Sequence, residues 1–170
     1  MKTFLRFLKQ IIKKILLSLK ITKSITYFER KYPNIKFDKD WYDNLLLKLG
    51  IFSCKLEKIK LKDLKCIIFK DGQWQTLPLC QSPVFQYFSS EDKQSYIEYN
   101  EISNEQTDDS HSVEKFENLI KSLDETGYDS TNPICVNKNN GIIDGQHRAS
   151  YLLNKYGDDY EISVFKIYYF

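Results

Sequence analysis

The chain has 170 residues, 42% hydrophobic and 15% aromatic, with 6 Gly and 4 Pro, which suits one domain with an appendage and excludes a low-complexity chain. Its formal charge of +2 divides unevenly: residues 1–36 hold ten Lys/Arg against Glu29 (10 − 1 = +9), and residues 37–170 hold 15 basic and 22 acidic residues (15 − 22 = −7). A basic arm suits a membrane surface or a polyanion, whereas an acidic body argues against nucleic acid as a partner, because phosphate contacts need clustered Lys/Arg.

The spacing predicts a helix over 3–22. Phe4, Leu5, Leu8, Ile11, Ile12, Ile15, Leu16 and Leu19 recur at i, i+3, i+4, i+7, and Lys2, Arg6, Lys9, Lys13 and Lys20 fall opposite. One reading lays this helix in the interface of an anionic membrane; the other docks it on its own domain or on a protein partner. The lysines interrupt any signal-peptide core, and the run is too charged to span a bilayer. Residues 24–36 read as a connector, with Pro33 ending any helix before it. A short helix is expected over 39–49, capped by Asp38 or Asp40 and stopped by Gly50. Residues 1–50 thus form a basic helical extension, and 51–170 the main domain.

The middle of the chain reads as β. A strand begins uncertainly at 56–61, Cys66–Phe69 is apolar, and Asp71-Gly72 makes a hairpin turn into Trp74–Leu77. Residues 84–88 and 95–99, rich in Phe, Tyr and Ile, are taken as further strands, their aromatics either core or the lining of an acceptor pocket. The polar stretch 100–111 is taken as a loop. Cys54, Cys66, Cys80 and Cys135 form no CxxC pair and no His stands at ligand spacing, so neither a zinc site nor a disulfide framework is expected, in keeping with a cytoplasmic setting.

The last third has the clearest pattern. Ser112 caps a helix carrying Val113, Phe116, Leu119, Ile120 and Leu123, and Gly127 ends it. Strands follow at Ile134–Val136 and Gly141–Ile143 around an Asn-rich turn. Asp144-Gly145 then leads into a helix at 147–156, ended by Gly157, before a strand at 161–167. The fold class is therefore α+β, a small mixed sheet with packed helices.

Asp144-Gly145-Gln146-His147-Arg148 is the candidate site. A strand that turns at glycine into a helix presents that helix's first N–H groups to an anion such as phosphate. Gly145 permits close backbone approach, Arg148 can grip phosphate bidentately, and His147 can donate a hydrogen bond or move a proton. Asp144 suits a Mg2+ ligand or a base facing an acceptor hydroxyl. The plainer reading is an N-cap, a turn glycine and an exposed first turn. His111 precedes the Ser112 cap and is either a phosphate or acceptor contact or a loop histidine. Glu98, with Glu101, Asp108 and Asp109, supplies the candidates for a second acidic group, each otherwise a solvated surface residue.

From about Ser112 to Lys166 the chain resembles the ParB/sulfiredoxin superfamily. The matching pattern is Pro133-Ile134-Cys135-Val136, then Gly141-Ile142-Ile143-Asp144-Gly145-Gln146-His147-Arg148-Ala149, a helix with Leu152 and Leu153, Gly157 and a strand. That resemblance implies a ParB/sulfiredoxin-like fold and a nucleotide held at Gly145, Gln146, His147 and Arg148. Gln146 stands where sulfiredoxins carry their catalytic Cys, so sulfinic-acid repair is not expected. The helix-turn-helix region of partition proteins has no counterpart before Phe170, so centromere binding is not expected either. The version closest to this one belongs to the free-serine kinases of the superfamily. It implies an ATP- or ADP-dependent kinase with Mg2+, in which Asp144, His147, Glu98 and His111 are the catalytic candidates and Asp144 the metal ligand. The acceptor would be a hydroxyl of a small metabolite or of a sugar in a surface glycan. A non-catalytic nucleotide-binding switch, with CTP as a further ligand, and a nuclease are the alternatives. The expected location is the cytoplasm, peripheral on the inner face of the membrane if residues 3–22 bind lipid.

Overall fold

A computed structural model describes residues 11, 15, 25–36, 51–70, 72–89, 93–106 and 112–169. The helix expected over 39–49 and most of that over 3–22 lie outside the described residues, although Ile11 and Ile15 are both helical.

The elements run α1 (Ile25–Lys31), β1 (Ile51–Lys60), β2 (Lys65–Lys70), β3 (Gln73–Pro78), α2 (Pro83–Ser89), α3 (Gln94–Gln106), α4 (Val113–Thr126), β4 (Ile134–Asn137), β5 (Ile142–Asp144), α5 (Gln146–Tyr156) and β6 (Glu161–Tyr169). The architecture is α+β, as the mixed periodicities predict. Four strands make one sheet in the order β1-β6-β4-β5, and β2 and β3 form a separate hairpin. β6 runs parallel to β4 and antiparallel to β1, and β5 returns antiparallel to β4. The β2–β3 register pairs Lys70 with Gln73, leaving a two-residue turn in which Gly72 takes φ +77°. That left-handed backbone is what such a hairpin turn needs from glycine.

Strand alternation divides the apolar side chains between the sheet's two faces. Ile134, Val136, Ile162 and Val164 pack on one face with Ala149, Leu152 and Leu153 of α5, and with Leu61, Leu64 and Cys66. Truncating a fully packed member such as Leu152 to Ala would cost about 2–5 kcal/mol. Phe165 points the other way, where Phe28 of α1 meets it edge-on at 6.4 Å and Tyr32 at 5.5 Å. The Tyr32 hydroxyl also donates to the Cys54 carbonyl at 2.9 Å. The expected connector at 24–36 therefore contains a helix seated on the sheet, with Phe28 fully buried and Pro33 two residues past the helix end.

Two expected strands are helices. Residues 84–88 lie in α2, where Ser82 Oγ accepts from the Phe85 N–H at 3.0 Å and Pro83 takes the first helical position. A Ser cap followed by Pro starts a helix, and Val84, Tyr87 and Phe88 follow 3.6-residue periodicity, not alternation. Residues 95–99 lie in α3, which continues to Gln106 through most of the expected loop. Tyr96, Tyr99 and Asn100 make its inward face, at i, i+3, i+4, while Gln94, Ser95, Glu98 and Glu101 face solvent. Tyr87 and Tyr96 are buried, with Phe88 and Tyr99 packed against them, which matches the core reading of these aromatics but on helices.

The carboxyl-terminal elements fall as predicted. Ser112 Oγ accepts from the Lys115 N–H at 3.2 Å, and Gly127 and Gly157 end α4 and α5 with φ +75° and +81°. All four cysteines are free thiols: Cys54, Cys66 and Cys135 are buried and Cys80 is exposed. Among the described residues no helix is long and apolar enough to cross a membrane.

Candidate functional site

The end of β5 delivers Asp144 and Gly145 to the first turn of α5. Gly145 is the residue before the helix, with φ +92° and ψ 23°, and no side chain caps the helix there. The first intrahelical bond runs from the Ala149 N–H to the Gly145 carbonyl at 2.9 Å, so the N–H groups of Gln146, His147 and Arg148 lie ahead of the ladder. A Cβ on Gly145 would stand 2.9 Å from both Arg148 Nη2 and Ile134 Cγ1. Glycine is thus required twice, by backbone conformation and by space.

Arg148 folds back over this turn. Its Nη2 donates to Asp144 Oδ2 at 3.0 Å, and its Nη1 donates to the Asn132 carbonyl. The Arg148 side chain is 15% exposed and that of Asp144 46%, so the acid faces solvent while the guanidinium is largely covered. Gln146 Nε2 is shielded from solvent and has no hydrogen-bond partner. A buried amide donor without an acceptor is costly, and at this position it is aimed from the same helical turn as the ladder-free N–H groups.

His147 enters an aromatic nest. Its ring lies 4.8 Å from Phe116 of α4 and 5.8 Å from Tyr96 of α3, near-perpendicular to the latter, and Nε2 is 2.9 Å from the Tyr96 hydroxyl. Tyr87 packs on both Tyr96 and Phe116 at 5.2 and 5.1 Å. Burial pushes the Tyr96 phenol up to about 12. Behind the site, Ser150 of α5 is fully buried and its hydroxyl is 3.5 Å from that of Ser82, tying α5 to the start of α2.

The structure therefore brings Asp144, Gly145, Gln146, His147 and Arg148 together at one turn. It does not bring Glu98 to them. Glu98 is two residues from Tyr96 on α3, roughly 200° around the helix, exposed, and accepts from Gln94 Nε2 at 3.2 Å. Glu101 is exposed too, and His111, Asp108 and Asp109 lie outside the described residues. Sequence reasoning missed Tyr96 as a partner of His147. Its i, i+3, i+4 relation to Tyr99 and Asn100 was the available signal.

Among the described residues no group of three or more His, Cys, Asp or Glu is placed to hold a metal. Asp144 alone fits Mg2+ only in the mode where phosphates and waters supply the other ligands. No family model, no curated protein and no solved structure matches the chain.

Proposed function

We propose that this chain is a nucleotide-dependent phosphotransferase of ParB/sulfiredoxin-like type, acting on a hydroxyl acceptor. The observation that carries this reading is the turn at Gly145: a helix start without a side-chain cap, an orphaned Gln146 amide donor beside it, and Arg148 and Asp144 within its first turn. Such a donor cluster favours the oxygens of a phosphate. Arg148 would exchange Asp144 for the nucleotide, and the freed carboxylate would face the acceptor hydroxyl. The hydroxyl oxygen then attacks the terminal phosphorus, the bond from that phosphorus to the rest of the nucleotide breaks, releasing ADP from ATP or AMP from ADP, and the hydroxyl proton passes to Asp144. Mg2+ held by Asp144 and the phosphates would neutralise charge on the transferring group. ATP or ADP is the proposed nucleotide, and a small metabolite or a glycan sugar the proposed acceptor.

A second reading, a nucleotide-binding switch without turnover, is favoured by one observation: the Asp144 carboxylate is already paired with Arg148, at 3.0 Å. Asp144→Asn separates the two. If the chain is a phosphotransferase, this variant still binds nucleotide and loses turnover. Unchanged turnover removes Asp144 from the chemistry, and nucleotide binding with no turnover by the native chain on any hydroxyl acceptor leaves the switch.

A further inference from the structure

The two borders of the sheet differ in chemistry. The hairpin continues the sheet past β5 through the Lys65–Gly141 bridge and the Lys65 N–H, which donates to the Asn140 carbonyl at 3.0 Å. Among the described residues, β1 is therefore one border and β3 the other. β1 carries Lys55, Glu57, Lys58 and Lys60, charges of the kind that keep an open edge from pairing with another chain. β3 runs Gln-Trp-Gln-Thr-Leu-Pro without one charge, and its Trp74 is 60% exposed. The hairpin register tells which backbone groups of β3 are open. Its two-residue turn makes Lys70 and Gln73 the closing hydrogen-bonded pair, and bonding then falls on every second pair. Gln73, Gln75 and Leu77 thus bond to β2, in step with the Leu79 N–H, which donates to the Leu64 carbonyl at 3.1 Å. The N–H and C=O groups of Trp74 and Thr76 point away from β2. Their side chains share one face with Phe69, whose ring meets that of Trp74 at 5.3 Å.

We propose that β3 pairs antiparallel with β3 of a second copy of this chain, about a two-fold axis at Gln75. An axis there sets Trp74 of each copy opposite Thr76 of the other. Both residues bond outward and both lie on the same face, so each pair exchanges two hydrogen bonds in register. An aromatic side chain opposite a β-branched one is also a favourable cross-strand pair. A two-fold sets a strand against itself, so charges near the axis meet their own kind. The neutral β3 carries none, whereas β1 would oppose its own lysines. That neutrality favours a second copy over a charged extended peptide as the occupant. Pro78, with no N–H to give, stands outside the paired residues. A six-residue edge buries less than the ~1,200 Å² of a standard interface, so the dimer is reversible and forms with concentration.

The test is sedimentation equilibrium of the full chain from about 10 to about 500 µM, a range that brackets weak association. The expected mass climbs from that of one chain toward that of two. The chain has 2 Trp, so Trp41→Phe leaves Trp74 as the sole reporter, and its emission should shift to the blue as the partner covers it. Trp74→Lys with Thr76→Lys sets lysine opposite lysine at both pairs and should weaken association about tenfold or more. Trp74→Glu with Thr76→Glu should do the same, and an equimolar mixture of the two variants should pair again. A native chain that stays monomeric overturns the inference. So does a dimer that persists in both charged variants, or a mixture of them that does not pair. Should the charged variants fail to fold, Trp74 emission decides: a mass that doubles with no change in emission places the interface elsewhere.

Discussion

Arg148 Nη2 lies 3.0 Å from Asp144 Oδ2, and the same guanidinium reaches the Asn132 carbonyl ahead of β4. One side chain thus joins the end of β5, the start of α5 and the approach to β4. Its 15% exposure makes it more than a surface ion pair: removing it empties a largely covered space and deletes both contacts, although the Asp144 carboxylate and the Asn132 carbonyl are open to solvent. Arg148→Ala should destabilise the protein by about 1–3 kcal/mol. If the proposed nucleotide site is right, ADP raises the melting temperature of the native protein and Arg148→Ala abolishes that rise, since a ligand stabilises only through the state that binds it. Thermal denaturation with and without ADP reads both. A variant stabilised by ADP as much as the native chain would place the phosphate elsewhere.

Gly145 and Gly72 both have left-handed backbone, at φ +92° and +77°, but differ in their surroundings. Nothing lies within 4 Å of a Cβ at Gly72, whereas one at Gly145 meets Arg148 Nη2 and Ile134 Cγ1 at 2.9 Å. Gly72→Ala should therefore cost only backbone strain, about 1 kcal/mol. Gly145→Ala adds a clash with a buried isoleucine and should cost about 2–4 kcal/mol by denaturant unfolding. It should also displace Arg148 from Asp144, and the proposed nucleotide site then predicts weaker ADP binding in Gly145→Ala and unchanged binding in Gly72→Ala. Equal costs at the two sites would show that crowding at Gly145 is relieved without moving Arg148.

The carboxyl-terminal third was legible because local signals there agree: Ser112 caps α4, Gly127 and Gly157 stop α4 and α5, and Ile134, Val136, Ile162 and Val164 alternate. Residues 83–106 misled because aromatic content was weighed above spacing. Tyr, Phe and Ile favour strands only where they can lie on a pleated face, and here Tyr87, Phe88, Tyr96 and Phe116 build one aromatic cluster between helices. The turn at Asp144-Gly145 could be read from its residues, but the partners that orient it could not. Tyr96 is 51 residues from His147, and Asn132 is 16 from Arg148. Such contacts are set by tertiary packing, which no local pattern encodes. Glu98 shows the converse, since its sequence nearness to Tyr96 puts it on the opposite face of α3.

Asp129 provides a pH test independent of the site. Its carboxylate accepts from the Thr131 hydroxyl at 2.6 Å and N–H at 2.9 Å, and pairs with Lys36 Nζ at 2.9 Å. Thr131 first, then Lys36, holds it far below the usual carboxylate range. Because the folded value is depressed, the stability it contributes is present above the unfolded value of about 4 and is lost as pH falls toward the folded one. Asp124, Glu117 and Asp159 shift the same way. The melting temperature should drop steadily below about pH 4. Asp129→Asn should lie below the native protein at neutral pH and converge with it in strong acid. Parallel curves would mean that Asp129 has the same affinity for protons folded and unfolded.

The amino-terminal segment provides the last test. Ile11 and Ile15 are helical, one turn apart, and 38% and 49% exposed, within a stretch where ten basic residues face Glu29 alone. α1 follows, pinned to the sheet through Phe28, so whatever holds residues 3–22 holds the domain. An apolar stripe flanked by Lys and Arg binds an anionic bilayer through two additive contributions, burial of the stripe and attraction to headgroups. The full chain should therefore co-sediment with phosphatidylserine-containing vesicles, less so as salt rises, and poorly with neutral ones. Ile11→Glu with Ile15→Glu removes apolar area and adds like charge to the membrane's, so binding should fall about tenfold or more. Nucleic acid would attract the same lysines without needing the isoleucines. A chain that binds RNA or DNA equally well with both substitutions, and vesicles not at all, would assign the basic arm to a polyanion instead.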